Sequence, residues 1–197
     1  MGMRWIDQVD AVPELPPQRN TVMLSAGHSD TVPGIVANGY VEADIVQLFR
    51  DDVSVRLTHL GIRHVLDGEP GENLSLRDAV PLAAAVDIAI EFHTNGGGPG
   101  ATGVETLSRA HNKPLGAELC RVTADLLGIP NRGAKPENAG YHERLAFVSD
   151  GGGIIFELFF LSNANDLYQF KRQYNALVAA VAGVIADAAR AAFPSTN

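Results

Sequence analysis

Apolar and polar positions along this chain alternate in blocks that read as strands and helices in turn. Residues 21–26, Thr-Val-Met-Leu-Ser-Ala, are an almost unbroken apolar run ending at Gly27-His28, and predict a buried strand that turns sharply at the glycine. Val41, Ile45, Leu48, Phe49 and Val53 then recur at roughly helical spacing behind Asn38, a capping residue type. They predict a helix over about 41–60, ended by Gly61. Residues 62–66 read as a short strand, 67–73 as a loop, and 74–86 as a helix with Leu76, Val80 and Ala84 on one face. Residues 87–95 predict a strand that runs into a glycine-rich turn, 102–107 an adjacent strand, and 114–127 a helix stopped by Gly128-Ile129-Pro130. Residues 131–141 read as a loop and 145–148 as a short strand. The strongly apolar 153–161 predicts a buried strand, and an alanine-rich helix over about 166–192 follows it. Strands alternating with helices, most of them apolar almost throughout, predict an α/β fold. It is a single domain with a mainly parallel or mixed twisted sheet covered by helices on both faces. Residues 1–20, with Pro13, Pro16 and Pro17, read as an extended lead-in to a domain over 21–197.

Composition narrows the partners. With 197 residues, 46% of them hydrophobic, the chain can bury a sizeable core as one domain. A net charge of -8 argues against nucleic acid, and against charge-driven adhesion to an anionic membrane or wall polymer. The single Cys120 cannot close an intramolecular disulfide and reads as a core thiol. The first ten residues lack an apolar core of signal-peptide length, and the most apolar segment, 177–186, is too short to span a bilayer. Synthesis as a soluble cytoplasmic monomer without stable membrane insertion is the expectation.

The chemistry gathers at strand ends. In sheets of this kind a site forms beyond the carboxyl ends of the strands, where both His28 and His93 fall. Glu42 stands at the start of the following helix and can converge on them. Two imidazoles and one carboxylate are a common catalytic zinc set that leaves the fourth position for water. Glu157 interrupts Ile154-Ile155-Phe156 and Leu158-Phe159-Phe160-Leu161. A charge inside a buried run costs several kcal/mol unless paired or neutralised. Two readings remain open, a carboxylate paired with an arginine brought near in space and a general base whose pKa a desolvated pocket raises.

These pieces resemble the zinc-dependent N-acetylmuramoyl-L-alanine amidases of the type-3 family. The resemblance is carried by Gly27-His28 with Gly34 and Glu42, then by Phe92-His93-Thr94-Asn95 followed by Thr102-Gly103-Val104-Glu105. Asn131-Arg132-Gly133-Ala134-Lys135 follows, and then Glu157-Leu158-Phe159-Phe160-Leu161-Ser162-Asn163 with Asp166. They come in the family's order and cover nearly the whole chain from Thr21. The resemblance implies that His28, Glu42 and His93 bind zinc and that Glu157 is the catalytic carboxylate. It implies hydrolysis of the amide between N-acetylmuramic acid and L-alanine in peptidoglycan by a zinc-bound water. A phage or prophage lysis enzyme, reaching the wall through a membrane lesion, is the setting it suggests. The alternatives are another zinc-dependent peptidase or deacetylase of related fold, or a non-catalytic wall-binding domain.

The chain departs from the family pattern at Ser29-Asp30, where glycines usually follow the first histidine, at Phe159, and at Gly151-Gly152-Gly153 before the last strand. Glu91 stands where the family favours serine, two residues before His93. It therefore shares a strand face with His93, either as an acceptor that fixes the imidazole or as a solvated carboxylate. Asn95, Lys135 and His142 are candidates for substrate binding. His59, His64 and His111 read as surface or cap residues.

Overall fold

The computed structural model describes residues 18–98, 100–139 and 143–193. Most of the lead-in, 1–17, and His142 lie outside the described residues. In chain order the elements are β1 (Gln18–Ala26), β2 (Val36–Ala37), β3 (Tyr40–Val41), α1 (Glu42–His59) and β4 (His64–Leu66). Then come α2 (Leu76–Ala84), β5 (Val86–Asn95), β6 (Val104–Ser108) and α3 (Lys113–Leu127). The remainder is β7 (Asn131–Lys135), α4 (Ala146–Ser149), β8 (Ile154–Phe160) and α5 (Ala164–Ala192).

A mixed sheet in the order β4-β1-β5-β8-β6-β7 forms the centre. β1 runs parallel to β4 and β5, and β5 parallel to β8, while β6 is antiparallel to β8. The reversal matters for the site, because β6 begins where β5 and β8 end. Helices cover both faces. On one, Leu24, Phe92, Phe156 and Leu158 pack with Phe49 of α1, Leu119 of α3 and Val181 of α5 in the main core. On the other, Met23, Ala89 and Ile155 meet Ala79 and Ala83 of α2 and Phe147 of α4 in a smaller cluster. α2 and α4 are short, so the carboxyl-terminal half of that face is left for the site.

The sequence reading needs correction at several elements. Residues 131–135 form a strand, not a loop: β7 is an edge strand paired only with β6, and an edge tolerates the polar run Asn-Arg-Gly-Ala-Lys. Residues 146–149 are helical, since a four-residue apolar run carries no period that separates strand from helix. α2 turns Ala79 and Ala83 inward, into the cluster with Met23, Ala89 and Ile155 of the sheet, and leaves Leu76 exposed. Asn38 caps no helix. With Gly39 it makes the turn of the β2–β3 hairpin, both at positive φ (52° and 78°), and its Nδ2 donates to the Leu161 carbonyl. α5 is by length and composition apolar enough to cross a membrane, more than the 177–186 stretch suggested. Its stripe of Leu177, Val181, Ile185 and Ala189 nevertheless packs into the core.

Beneath the site face lies a buried ion pair. Arg50, fully buried on α1, pairs with Asp67 and donates to the Glu72 carbonyl at 2.7 Å. Asp67 also accepts from Ser25 Oγ at 2.7 Å and Ala26 N at 3.1 Å. Arg50→Leu removes one partner and strands a buried carboxylate, which costs about 3–5 kcal/mol. The expected fall in melting temperature is roughly 6–20 °C for a domain of this size, readable by thermal denaturation.

Candidate metal centre

His28 follows the end of β1 with φ +70°, a left-handed conformation that costs a non-glycine residue roughly 1–3 kcal/mol. That turn brings the ring back over the sheet end, towards His93. Glu42 opens α1, only 1% exposed, and both its oxygens are held. Oε2 accepts from Ile35 N at 2.9 Å and Oε1 from Thr94 N at 2.8 Å. His93 stands near the end of β5, with Nδ1 3.2 Å from Glu42 Oε1 and Nε2 3.0 Å from Glu91 Oε2. One ligand atom from each of His28, Glu42 and His93 falls within 4.8 Å of the others, a set that could hold a metal ion.

The local structure fits such an ion. His28 Nε2 is 2.9 Å from Glu42 Oε2 but is buried and makes no directed hydrogen bond among the described residues, so the two atoms converge on a shared point without bonding each other. Two glycines keep the space clear. A Cβ on Gly27 would lie 2.2–2.5 Å from three atoms of the His93 ring. On Gly34 (φ +68°) it would lie 2.4 Å from His28 Nε2 and 2.7 Å from Glu42 Oε2. Burial would raise the Glu42 pKa, but the His28 and His93 imidazoles close against its two oxygens outweigh it and hold the carboxyl well below the usual range. Burial would lower that of His93, and the Glu42 and Glu91 carboxylates outweigh it, raising it well above the usual value. So many acids around two imidazoles favour a cation between them.

Gly27→Ala tests this clearance. The new methyl must displace the His93 ring, an overpacking cost of about 1–3 kcal/mol that falls on the site. Metal affinity and activity are expected to fall together, while the metal-free variant keeps its circular dichroism spectrum.

Glu157 is registered opposite His93 on one side and Glu105 on the other, so all three share a row on the open face. Its Oε2 is buried and, among the described residues, has no hydrogen-bond partner. Burial pushes its pKa up to about 7 against the pull of His93, helped by repulsion from Glu42, Glu105 and Glu91. The buried arginine pairs with Asp67 instead, so the paired-carboxylate reading of Glu157 has no support. A cleft of about 460 Å³ opens over this row, with His28, Glu42, His93, Asn95 and Glu157 in its lining and Ile35, Leu107, Leu145 and Ile155 as apolar walls.

The other candidates are placed differently. Asn95 lines the cleft, its Nδ2 3.1 Å from Glu105 Oε1. Lys135 is tied to Glu105 at 2.6 Å and Arg132 to the same carboxylate at 2.5 Å, and neither is among the lining residues. His59 and His111 are exposed, and His64 is held by Ser54 and the Ile62 carbonyl. The Arg50–Asp67–Ser25 network beneath Glu91 escaped the sequence reading. A signal existed: Arg50 sits four residues after Val46 and three before Val53, both buried, on the inward face of α1.

The family of N-acetylmuramoyl-L-alanine amidases matches residues 22–188. The chain belongs to this amidase family. A solved Neisseria meningitidis protein named for the same activity is 42% identical, with a TM-score of 0.78 over 85% of this chain and 94% of that one. The N-acetylmuramoyl-L-alanine amidase of Clostridium difficile 630 shares the fold at 18% identity, with a TM-score of 0.74 over 89% of this chain and 98% of that one. The amidase LytC of Bacillus subtilis is 26% identical over 160 residues, 77% of this chain and 32% of that longer protein. This amidase therefore hydrolyses the amide that joins N-acetylmuramic acid to L-alanine, and peptidoglycan is its substrate.

Proposed function

We propose that the amidase works with a zinc ion held by His28, Glu42 and His93 and with Glu157 as general base and general acid. The observation that carries this reading is the convergence of the His/Glu/His set beside a glutamate on the neighbouring strand whose buried Oε2 has no hydrogen-bond partner among the described residues. Zinc held there supplies a Lewis acid for the scissile carbonyl and for the attacking water. Glu157 Oε2 takes a proton from that water and returns it to the alanine nitrogen as the amide opens. A carboxyl with its pKa pushed up to about 7 can do both near neutrality. The apolar walls limit water around the proton in transit.

Asn95, in the cleft lining, binds substrate through whichever amide atom Glu105 and Gly96 leave free. Lys135, part of a piece that carries the resemblance, and His142, which precedes the Glu157 strand in sequence, stay as substrate-binding proposals. The enzyme acts as a monomer on the wall, and deployment in phage or prophage lysis is part of the proposal. Lysis from within, when the chain is expressed beside a membrane-permeabilising protein, tests that setting.

Digestion of purified sacculi tests the reaction. The expected products are free L-alanine amino groups without new reducing sugar ends, identified by amino-group labelling and mass spectrometry. New reducing ends, or release of D-alanine alone, would overturn the assignment.

A further inference from the structure

We propose that Glu91 is the positioning residue for His93: it accepts the proton on Nε2 and so leaves the Nδ1 lone pair facing Glu42 and the metal position. The inference rests on the reading of His28, Glu42 and His93 as a metal site. Glu91 precedes His93 by two residues on β5, so both side chains leave the same face of the sheet. Its Oε2 is 3.0 Å from His93 Nε2, while Nδ1 is 3.2 Å from Glu42 Oε1. A neutral imidazole has one N–H and one lone pair, and only the lone pair can face a metal. Of the two carboxylates, Glu42 converges on His28 as well and belongs to the ligand set, so the N–H goes to Glu91. A carboxylate behind a ligating histidine fixes its tautomer and raises its basicity as a donor.

The surroundings of Glu91 direct it to His93. It is buried, and its register neighbour on β1 is Ser25, whose Oγ stands 3.4 Å from Glu91 Oε1 and 2.7 Å from Asp67 Oδ2. A hydroxyl has one proton, and the shorter contact takes it. Ser25 therefore donates to Asp67, and His93 is left as the principal partner of Glu91. Arg50 anchors Asp67 in turn, so the Ser25 hydroxyl proton stays directed at Asp67 and away from Glu91. Gly27 meets the His93 ring at a point where a Cβ would clash, which leaves the ring little room to rotate. Glu91 is not among the residues that line the cleft, so it acts through His93 and not on substrate.

The test uses Glu91→Leu and Glu91→Gln in the full chain, with His93→Ala as reference. Zinc affinity is read by competition with a chromophoric chelator, and the His93 tautomer by ring ¹⁵N shifts in the zinc-loaded protein. The wild type should show the Nε2–H form. Glu91→Leu should bind zinc about 10–100-fold more weakly and lose that single signature. Glu91→Gln keeps an acceptor oxygen and should fall between, with the metal-free melting temperature of the wild type. Wild-type zinc affinity and an unchanged Nε2–H signature in both variants, whatever their melting temperatures, would overturn the proposal while His93→Ala still lost zinc. Equal zinc binding by wild type and His93→Ala would overturn the metal-site reading, and this inference with it.

Discussion

Glu157→Gln is expected to fold, to bind zinc as the wild type does, and to lose activity by on the order of a hundredfold to ten-thousandfold. The substitution preserves volume and shape, so the strand and its neighbours need not move. Replacing a buried carboxyl by a neutral amide also removes the desolvation that pushes this group's pKa up to about 7. Stability should therefore hold or rise. Repulsion between Glu157 and the nearby acids Glu42, Glu105 and Glu91 disappears as well. An amide cannot take a proton from water, so the chemical step fails while the ligand set stays intact. Zinc content by elemental analysis, melting temperature and amide hydrolysis measured on one preparation make the separation visible. Zinc lost along with activity would make Glu157 a ligand and transfer suspicion to Glu42 as base. Activity retained would leave Glu157 a buried structural carboxylate.

Why these residues could be read from sequence while others could not follows from where the hydrophobic pattern is informative. His28 and His93 stand at or just beyond the ends of apolar runs, and Glu157 breaks one, so each announces itself by contrast with its neighbours. A mainly parallel sheet buried on both faces produces such runs, which is why β1, β5 and β8 were plain. β7 lacked the contrast because an edge strand need not be apolar. The hairpin at Asn38-Gly39 was hidden because the same asparagine also suits a helix start, and only the positive φ of both residues separates the two readings. The Arg50–Asp67–Ser25 network joins residues 17 and 42 positions apart, so the place of Arg50 on the inward face of α1 was legible but its partners were not. Glu91 lay between these cases. Its spacing from His93 gave the shared face, but whether it met the ring or the solvent depended on how β1 and the residue 67 loop pack behind it.

Removal of the ligands is expected to have the other large effect, and the three positions should not behave alike. His28→Ala, Glu42→Ala and His93→Ala should each lose most of their zinc and most of their activity, since two ligands hold the ion poorly. The loss should exceed the about 10–100-fold that removing an outer hydrogen-bond partner typically costs. Chelation should inactivate the wild type, and zinc should restore it. A ligand that binds only the folded state stabilises it by mass action, so chelation should also lower the wild-type melting temperature, and it should leave the three variants unmoved. Their metal-free stabilities then separate them. His28 is partly exposed and makes no hydrogen bond through Nε2 among the described residues, so its loss should barely change the metal-free protein. Glu42 accepts from the backbone N–H groups of Ile35 and Thr94, and its removal strands the buried Thr94 donor at about 1–3 kcal/mol and the half-buried Ile35 donor at less. Glu42→Gln retains one acceptor oxygen and should recover part of that stability without recovering zinc. His59→Ala and His111→Ala, both at exposed positions, should match the wild type in every measurement. A metal-free ligand variant with full activity would remove the metal from the mechanism altogether, whatever its melting temperature.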